Sequence, residues 1–453
     1  MPLRKPSLAW SLLGQEIRGL LAAPALWLML AVLSLLTGYS FIQAVHLYSE
    51  ASRTALAYPE MAAGLQPLDG IFIPTFGAYY LAETLLLPFV GIRLVGLDKQ
   101  SQTLKLLLQL PCSPCRLTGI KITAMLLLWL ASLAPVALAL VCWHHLGGHI
   151  HWPEILALVT GHALYALVII TLALAAASTT GNLPTAAMLC LAITLGFWVL
   201  DFASSVPGTF LAALKQFSLP ALLRQCESGL LLTRTIAVFL ILALFLSVLA
   251  CIFLHPGHRS ARRIRSTLCL ILIGTLLLAG SARLPGFFDL SENRRHSLAP
   301  QISQALRQIR KPIQITIHLR PEDSRLQDLE HGLLAKLRRT LPNLHIIYAA
   351  GNQSLFAASE DESYGLIEYE CQGRHDQSYS NSREEILTIL LKLAGQDKIS
   401  VDRPASHGYP LVTDPGACRW WLYIILPMLC LGGFVLFRNG FPFITLQKKE
   451  HSP

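Results

Sequence analysis

Four groups of residues in this sequence have the types and spacing to do chemistry. The first is a set of ionisable residues inside apolar runs: Glu83 near the middle of one, His162 within another, and Asp201 near the end of a third. A charged carboxyl in hydrocarbon costs roughly 2.5–3.5 kcal/mol or more. Glu83 must therefore face either a hydrogen-bonding neighbour such as His162, or a translocation path or subunit interface. Asp201 lies close enough to the end of its run to reach water. The second group is CWHHLGGHIHWPE, which gathers His144, His145, His149 and His151 in one loop. Imidazoles at this density suit copper or zinc; with Trp143 and Trp152 the same loop also reads as one lying at headgroup depth. The third, Cys112-Ser-Pro-Cys115, is a C-x-x-C with no second pair or nearby histidine, and reads as a turn before it reads as a zinc or redox site.

The fourth group is PFVGIRLVGLDKQSQTLKLLLQLPCSPCRLTGIK, residues 88–121, a basic amphipathic segment between two apolar runs. Such a segment at a membrane face has something to dock. Other chemistry is excluded by pattern. The chain has no G-x-x-x-x-G-K-[ST] to cradle a nucleotide, no H-E-x-x-H and no G-x-S-x-G. It reads as a non-enzyme that binds no cofactor of its own.

These groups are positioned by a largely lipid-facing chain. A soluble chain of 453 residues would make two or three domains. Here 53% of residues are apolar, 14% are charged, and mean hydropathy is +0.51. Ordinary domains carry about 25% charged residues, so the deficit lies in segments in contact with lipid. The net charge of +9 is not gathered on a soluble face; its cations stand at the ends of apolar runs. This excludes nucleic acid as a partner and follows the positive-inside rule. Of the ten cysteines, Cys190, Cys251, Cys269 and Cys430 lie in apolar runs as small hydrophobes, while Cys371 and Cys418 can face an oxidising compartment.

A crossing helix needs about 20 apolar residues, and eight candidates follow: 23–43, 72–95, 121–143, 155–177, 184–204, 232–254, 266–284 and 420–437. The first follows a long amphipathic stretch (Trp10, Leu13, Ile17, Leu20) and reads as retained rather than as a signal peptide. Residues 205–231, broken by Pro207, Gly208 and Pro220, read as a short helix lying at or dipping into the outer interface. Arg4, Lys5 and Arg18, then Lys99, Lys105, Arg116 and Lys121, then Arg259, Arg262, Arg263 and Arg265, then Arg438, Lys448 and Lys449 all fall on one side. Both termini are thus expected in the cytoplasm and residues 285–419 outside it. The expected fold is an α-helical polytopic membrane protein with a small extracytoplasmic α/β domain between the last two spans. In that domain helices are expected at 298–310, 324–340 and 384–393. Strands are expected at 313–319, 345–348, 366–371 and 399–401. Loops are expected at 350–363 and 372–382, and a linker from Arg403 to Cys418.

With these residues assembled, residues 1–254 resemble the ABC-2 type permease family, in its gliding-motility-type branch. Glu16, Pro24, Gly38 and Phe41 match its opening. Pro88, Arg93, the Asp98-Lys99 pair, Thr103-Leu104, Pro111, Ser113, Gly119 and Lys121 match its commonest signature. FSLPALLRQCESGLL (217–231) is similar to its outer segment. Residues 266–437 resemble the auxiliary subunit of the same system, through Asp289-Leu290-Ser291 and Ser297-Leu298-Ala299-Pro300 and through YGLIEYECQGR and SREEILTILLKLAG. Gln102 stands where the permease signature usually has Gly and Lys105 where an acidic residue is usual, and the auxiliary domain is shorter than the family's.

The resemblance implies four parts: a six-span permease (1–254), a basic linker with a seventh span (255–284), the auxiliary domain (285–419), and an eighth span with a cytoplasmic tail (420–453). It implies a bacterial inner-membrane location and a pore built from two copies or with a related permease. A separate ABC ATPase would hold ATP and Mg. Arg93, Asp98, Lys99, Thr103, Leu104, Leu107 and Pro111 would form the coupling element, with Leu104, Leu107 and Leu108 packed on the ATPase. The auxiliary domain would bind substrate or an envelope partner. A second reading is a non-transporting scaffold or mechanotransmitter worked by the same ATPase cycle. A third, metal handling, rests on the histidine loop alone.

Overall fold

An apolar chain in lipid can satisfy its backbone N–H and C=O groups internally only as helices or closed barrels, and this chain forms helices. The computed structural model describes residues 8–107, 109, 111–203, 217–255, 259–309, 312–320, 323–341, 343–349, 364–371, 373–393, 395 and 408–438. Among the described residues eight helices are long and apolar enough to cross a membrane: Pro24–Ala57, Leu68–Gln100, Pro114–His145, Trp152–Thr179, Leu183–Asp201, Thr233–Leu254, Ser260–Ser281 and Gly416–Arg438. They are called the first to eighth spans below, and by length and composition they make this a multi-pass membrane protein. An amphipathic helix, Leu8–Leu21, precedes them.

Several helices outrun their apolar cores. The first reaches Ala57 although its apolar run ends near residue 43, because Ser49 and Ser52 are buried beneath the chain leading to the eighth span. The fourth span is the axis of the bundle: 67% of its most apolar window is buried, against 6% for the seventh and eighth. Small residues permit this close approach. A Cβ on Gly91 of the second span would meet Ala173 of the fourth at 2.9 Å, and one on Gly161 would meet Cys226 at 2.5 Å. The eighth span docks on the first, where Ser34 Oγ donates to the Leu422 carbonyl at 3.0 Å.

Between the seventh and eighth spans lies a four-stranded sheet in the order β4-β3-β5-β6, with β3 Ile313–Ile317, β4 Leu344–Tyr348, β5 Ile367–Cys371 and β6 Arg374–Ser378. β3 and β4 are parallel, joined by the crossover helix 324–340; the other pairings are antiparallel. Alternation sends Ile313, Ile315, Ile317, Ile367, Tyr369 and Cys371 toward helices 300–307, 324–340 and 383–393. Gln314, Thr316, Glu368, Glu370, His375 and Gln377 line a groove of about 360 Å³ on the other face.

Three expectations are refined. β6 occupies part of what reads as the polar loop 372–382: an edge strand need not be apolar, and Gly373, with φ of 76°, turns the hairpin that pairs it to β5. The short helix expected at or dipping into the outer interface is Leu219–Glu227, and it is held by the bundle. Leu219, Leu222, Leu223 and Cys226 are buried, and it packs on the fourth span. It leads directly into β1, Leu230–Leu232, which pairs antiparallel with β2, Phe287–Asp289, at the start of the sheet domain. The expected linker is a strap. Tyr409 N donates to the Leu65 carbonyl, Leu411 N to Ser52 Oγ and Thr413 N to Ser49 Oγ. The strand expected at 399–401, the loop at 350–363 and residues 204–216 lie outside the described residues.

Lys336, on the crossover helix, is half-buried, and burial together with the nearby Arg383 and Arg339 lowers its pKa from 10.5 to about 8. Between these values the folded protein sheds the proton while the unfolded chain keeps it, so stability rises with pH across that window. Lys336→Met is therefore expected to melt above the parent at pH 7 in detergent, the gap closing as pH rises past about 8. A gap independent of pH contradicts this account of Lys336.

Candidate functional site

Ionisable groups inside an apolar bundle must find partners there, and the second and fourth spans carry such groups at three levels. At mid-height Glu83 Oε2 lies 3.5 Å from His162 Nδ1, and His162 Nε2 lies 3.3 Å from Glu227 Oε1. All three residues are buried, and the Phe76 and Tyr79 rings stand 5.0 and 5.7 Å from the imidazole. The imidazole hydrogen-bonds Glu83 through Nδ1 and stands with its other nitrogen against Glu227, so one ring lies between two buried carboxyls. Sequence reasoning pairs Glu83 with His162. It misses Glu227, which sits in a segment too broken by proline and glycine to read as part of the bundle.

At one end of the bundle Lys121, fully buried, reaches Glu16 Oε1 and Asp98 Oδ2 at 2.6 Å each and the Leu94 carbonyl at 3.2 Å. This knot joins the N-terminal helix, the second span and the third. Burial raises the Glu16 pKa, and Lys121 offsets part of the rise. Next to it Lys99 Nζ donates to the carbonyls of Ala177, Ser178 and Thr180 at 2.6, 2.7 and 2.9 Å, capping the C-terminus of the fourth span.

A five-residue helix, Thr103–Leu107, follows. It begins after Gln102, whose φ of 60° is the left-handed conformation that glycine adopts most readily. No residue of this helix is fully buried, and its leucines differ in exposure. Leu104 packs against the core and Leu107 is half-buried, while Lys105 and Leu106 are exposed, Leu106 to 65%. Residues three apart share a helix face, so Leu104 and Leu107 turn inward together and the outward face is the residues between them. Leu108 lies outside the described residues. Asp98 and Lys99 likewise face the bundle. Thr103 Oγ1 pairs with Ser101 Oγ at 2.8 Å, Arg93 is half-buried, and Pro111 is exposed.

At the opposite end the bundle grips the sheet domain. Asp289 accepts from the Ser291 amide and hydroxyl, the His296 amide and Ser297 Oγ. The Asp289-Leu290-Ser291 and Ser297-Leu298-Ala299-Pro300 motifs are thus one hydrogen-bonded turn. That turn is fastened to the spans. Glu292 N donates to Glu154 Oε1 at 2.8 Å, Arg295 forks onto both oxygens of Asp69, and His296 Nε2 donates to the Ser228 carbonyl at 2.7 Å.

Two sequence readings are revised here. Asp201 is paired with Arg224 rather than open to water. The four histidines do not converge. His149 Nε2 lies 3.0 Å from Glu292 Oε1 with its ring stacked on Tyr409 at 3.9 Å, His144 and His145 are exposed, and His151 is half-buried. Among the described residues no group of three or more His, Cys, Asp and Glu side chains is placed to hold a metal. The loop instead forms part of the clasp on the sheet domain. The chain matches no family model, no curated protein and no solved structure.

Lys121→Met would leave two partly exposed carboxyls facing each other without their cation, and the cost is at most the roughly 3–5 kcal/mol that follows loss of one partner of a fully buried ionic group. A clear drop in the thermal midpoint in detergent is expected. Glu16→Gln, which keeps the Lys121–Asp98 pair and relieves a buried carboxylate, should change the midpoint little. Equal effects from the two substitutions contradict this description of the knot.

Proposed function

We propose that this chain is the membrane-spanning subunit of an ABC-2 type transporter of the gliding-motility type, with permease and auxiliary subunit fused in one polypeptide and driven by a separate ATPase. The observation that carries the proposal is the short helix Thr103–Leu107, which holds Lys105 and Leu106 outward directly beside the Lys121 knot. The connections rich in Lys and Arg, Lys99 to Lys121 and Arg259 to Arg265, follow the second and sixth spans and so fall at that end by the count of crossings. By the positive-inside rule it faces the cytoplasm of a bacterial inner membrane, with both chain termini, and the sheet domain lies outside. ATP and Mg belong to the ATPase. The pore forms from two copies or with a related permease, and the exposed apolar faces of the spans meet lipid.

In this mechanism the ATPase docks on the outward face of the short helix and contacts it differently in its two nucleotide states, as any coupling requires. A push there moves the second and third spans and the N-terminal helix together, because Asp98 and Glu16 share Lys121. Lys99 brings the fourth span along. The Glu83–His162–Glu227 contact passes the motion to the helix 219–227. Rocking of the bundle alternates access to a substrate path. The second reading, a mechanotransmitter acting on an envelope assembly, is favoured by one feature: Asp69 and Glu154, on the same two spans, hold the sheet domain.

Lys105→Glu combined with Leu106→Asp should abolish co-purification of an ABC ATPase that the parent chain retains, while leaving the detergent melting profile unchanged, because both residues are exposed. Retention of the ATPase by this variant would show the coupling assignment to be wrong.

A further inference from the structure

At the root of the sheet domain two cations of the crossover helix 324–340 stand without an ion pair. Arg339 reaches toward β2: its guanidinium lies 5.1 Å from the Phe287 ring, Nη2 donates to the His296 carbonyl at 3.2 Å, and Nε donates to the Ala335 carbonyl at 3.0 Å. Nη1 is enclosed and has no acceptor. Lys336 stands one turn earlier on the same helix face. It is half-buried and makes no hydrogen bond or ion pair among the described residues. The carboxylates of this corner are already engaged. Asp289 accepts from the Ser291 amide and hydroxyl, the His296 amide and the Ser297 hydroxyl, which fills its four lone-pair sites. Asp69 is held by Arg295.

This corner sits where two spans end. β2 follows closely on Ser281, the last residue of the seventh span, and Leu232, which pairs with Phe287, adjoins Thr233, the first residue of the sixth. Beside it Leu284 and Phe288 are exposed apolar side chains, and Arg283 is exposed with them. Apolar side chains next to unneutralised cations at a span end suit the boundary between acyl chains and headgroups. We propose that Lys336 and Arg339 bind the phosphate of an anionic phospholipid whose acyl chains lie against Leu284 and Phe288. The phosphate supplies the acceptors that Lys336 and Arg339 Nη1 lack, in charge-assisted hydrogen bonds. A free phosphate offers the same oxygens, and the two exposed apolar residues favour the lipid. Bound there, the lipid ties the crossover helix to the membrane surface and offsets the cost of half-burying Lys336 beside Arg339. The inference needs only that the sixth and seventh spans end at the bilayer surface, and is independent of what drives the bundle or crosses it.

Hydrogen–deuterium exchange on the full-length chain in lipid discs tests this in three arms: phosphatidylcholine alone, phosphatidylcholine with phosphatidylglycerol, and phosphatidylcholine with inorganic phosphate in the buffer. In the parent, phosphatidylglycerol is expected to slow exchange in the segment 335–341 about threefold or more, while inorganic phosphate leaves it unchanged. Lys336→Met and Arg339→Gln should each lose most of that protection. Lys336→Met keeps the test sound if Arg339→Gln folds poorly, since without lipid it is the variant expected to melt above the parent. No effect of phosphatidylglycerol on 335–341 in the parent overturns the inference. So does protection that survives in Lys336→Met, which would mean that the lipid acts elsewhere. Equal protection from inorganic phosphate assigns the corner to a soluble anion and overturns the lipid. As a second measurement in detergent, phosphatidylglycerol should raise the thermal midpoint of the parent by more than that of Lys336→Met. Equal gains in the two proteins contradict the site.

Discussion

A single imidazole held between two carboxyls in the middle of an apolar bundle is the constraint on which the architecture depends. None of Glu83, His162 and Glu227 can be left alone there without a cost of several kcal/mol. Each therefore fixes the element that carries it: the second span, the fourth span and the helix 219–227. The last of these has no apolar run long enough to hold itself in the bundle. Its seat is set by Glu227, by the close approach of Cys226 to Gly161, and by the leucines beside them. Three residues after Glu227 the chain becomes β1, and β1 pairs with β2 at the root of the sheet domain. The position of that domain is thus set partly from the middle of the bundle.

The other polar contacts extend the same logic to both ends. Lys121 gathers three helices beneath the short helix 103–107, and Lys99 closes the C-terminus of the fourth span. Asp69 and Glu154, at the far ends of the second and fourth spans, hold the turn that Asp289 organises. Two helices therefore run from the exposed Lys105–Leu106 face to the base of the sheet domain, with polar fastenings at the ends and centre and small-residue packing between. A displacement at one end has a rigid route to the other. That is a property both a transporter and a force-transmitting scaffold would use.

Much of this was legible in the sequence, for physical reasons that also mark where reading stops. Apolarity accumulates residue by residue, so all eight spans are visible. Their ends are not, because Ser49 and Ser52 are buried by a strap more than 350 residues away in sequence. The sheet domain's helices and inward strands follow from periodicity. β1 and β2, three residues each, exist only because they pair with one another. Glu83 announces the need for a partner through the cost of burying it, and His162 is the natural candidate. Glu227 lies in a segment whose glycine and prolines disguise it. The leucines of 103–107 show the limit of periodicity: spacing groups Leu104 with Leu107, but it does not say that Leu104 packs against the bundle while Leu106 stands exposed. The histidine loop shows the converse, since density along the chain did not become convergence in space.

The central claim is that the Glu83–His162–Glu227 contact helps seat the sheet domain through the helix 219–227 and the β1–β2 ribbon. Hydrogen–deuterium exchange on the full-length protein and its His162→Leu variant tests this directly. The account predicts that the ribbon amides, Thr233 bonded to the Gly286 carbonyl and Leu290 to that of Gly229, exchange about tenfold faster or more in the variant, while amides of β3 and β5 keep their protection. Unchanged ribbon protection, or loosening of the whole sheet domain in step with the ribbon, would contradict it.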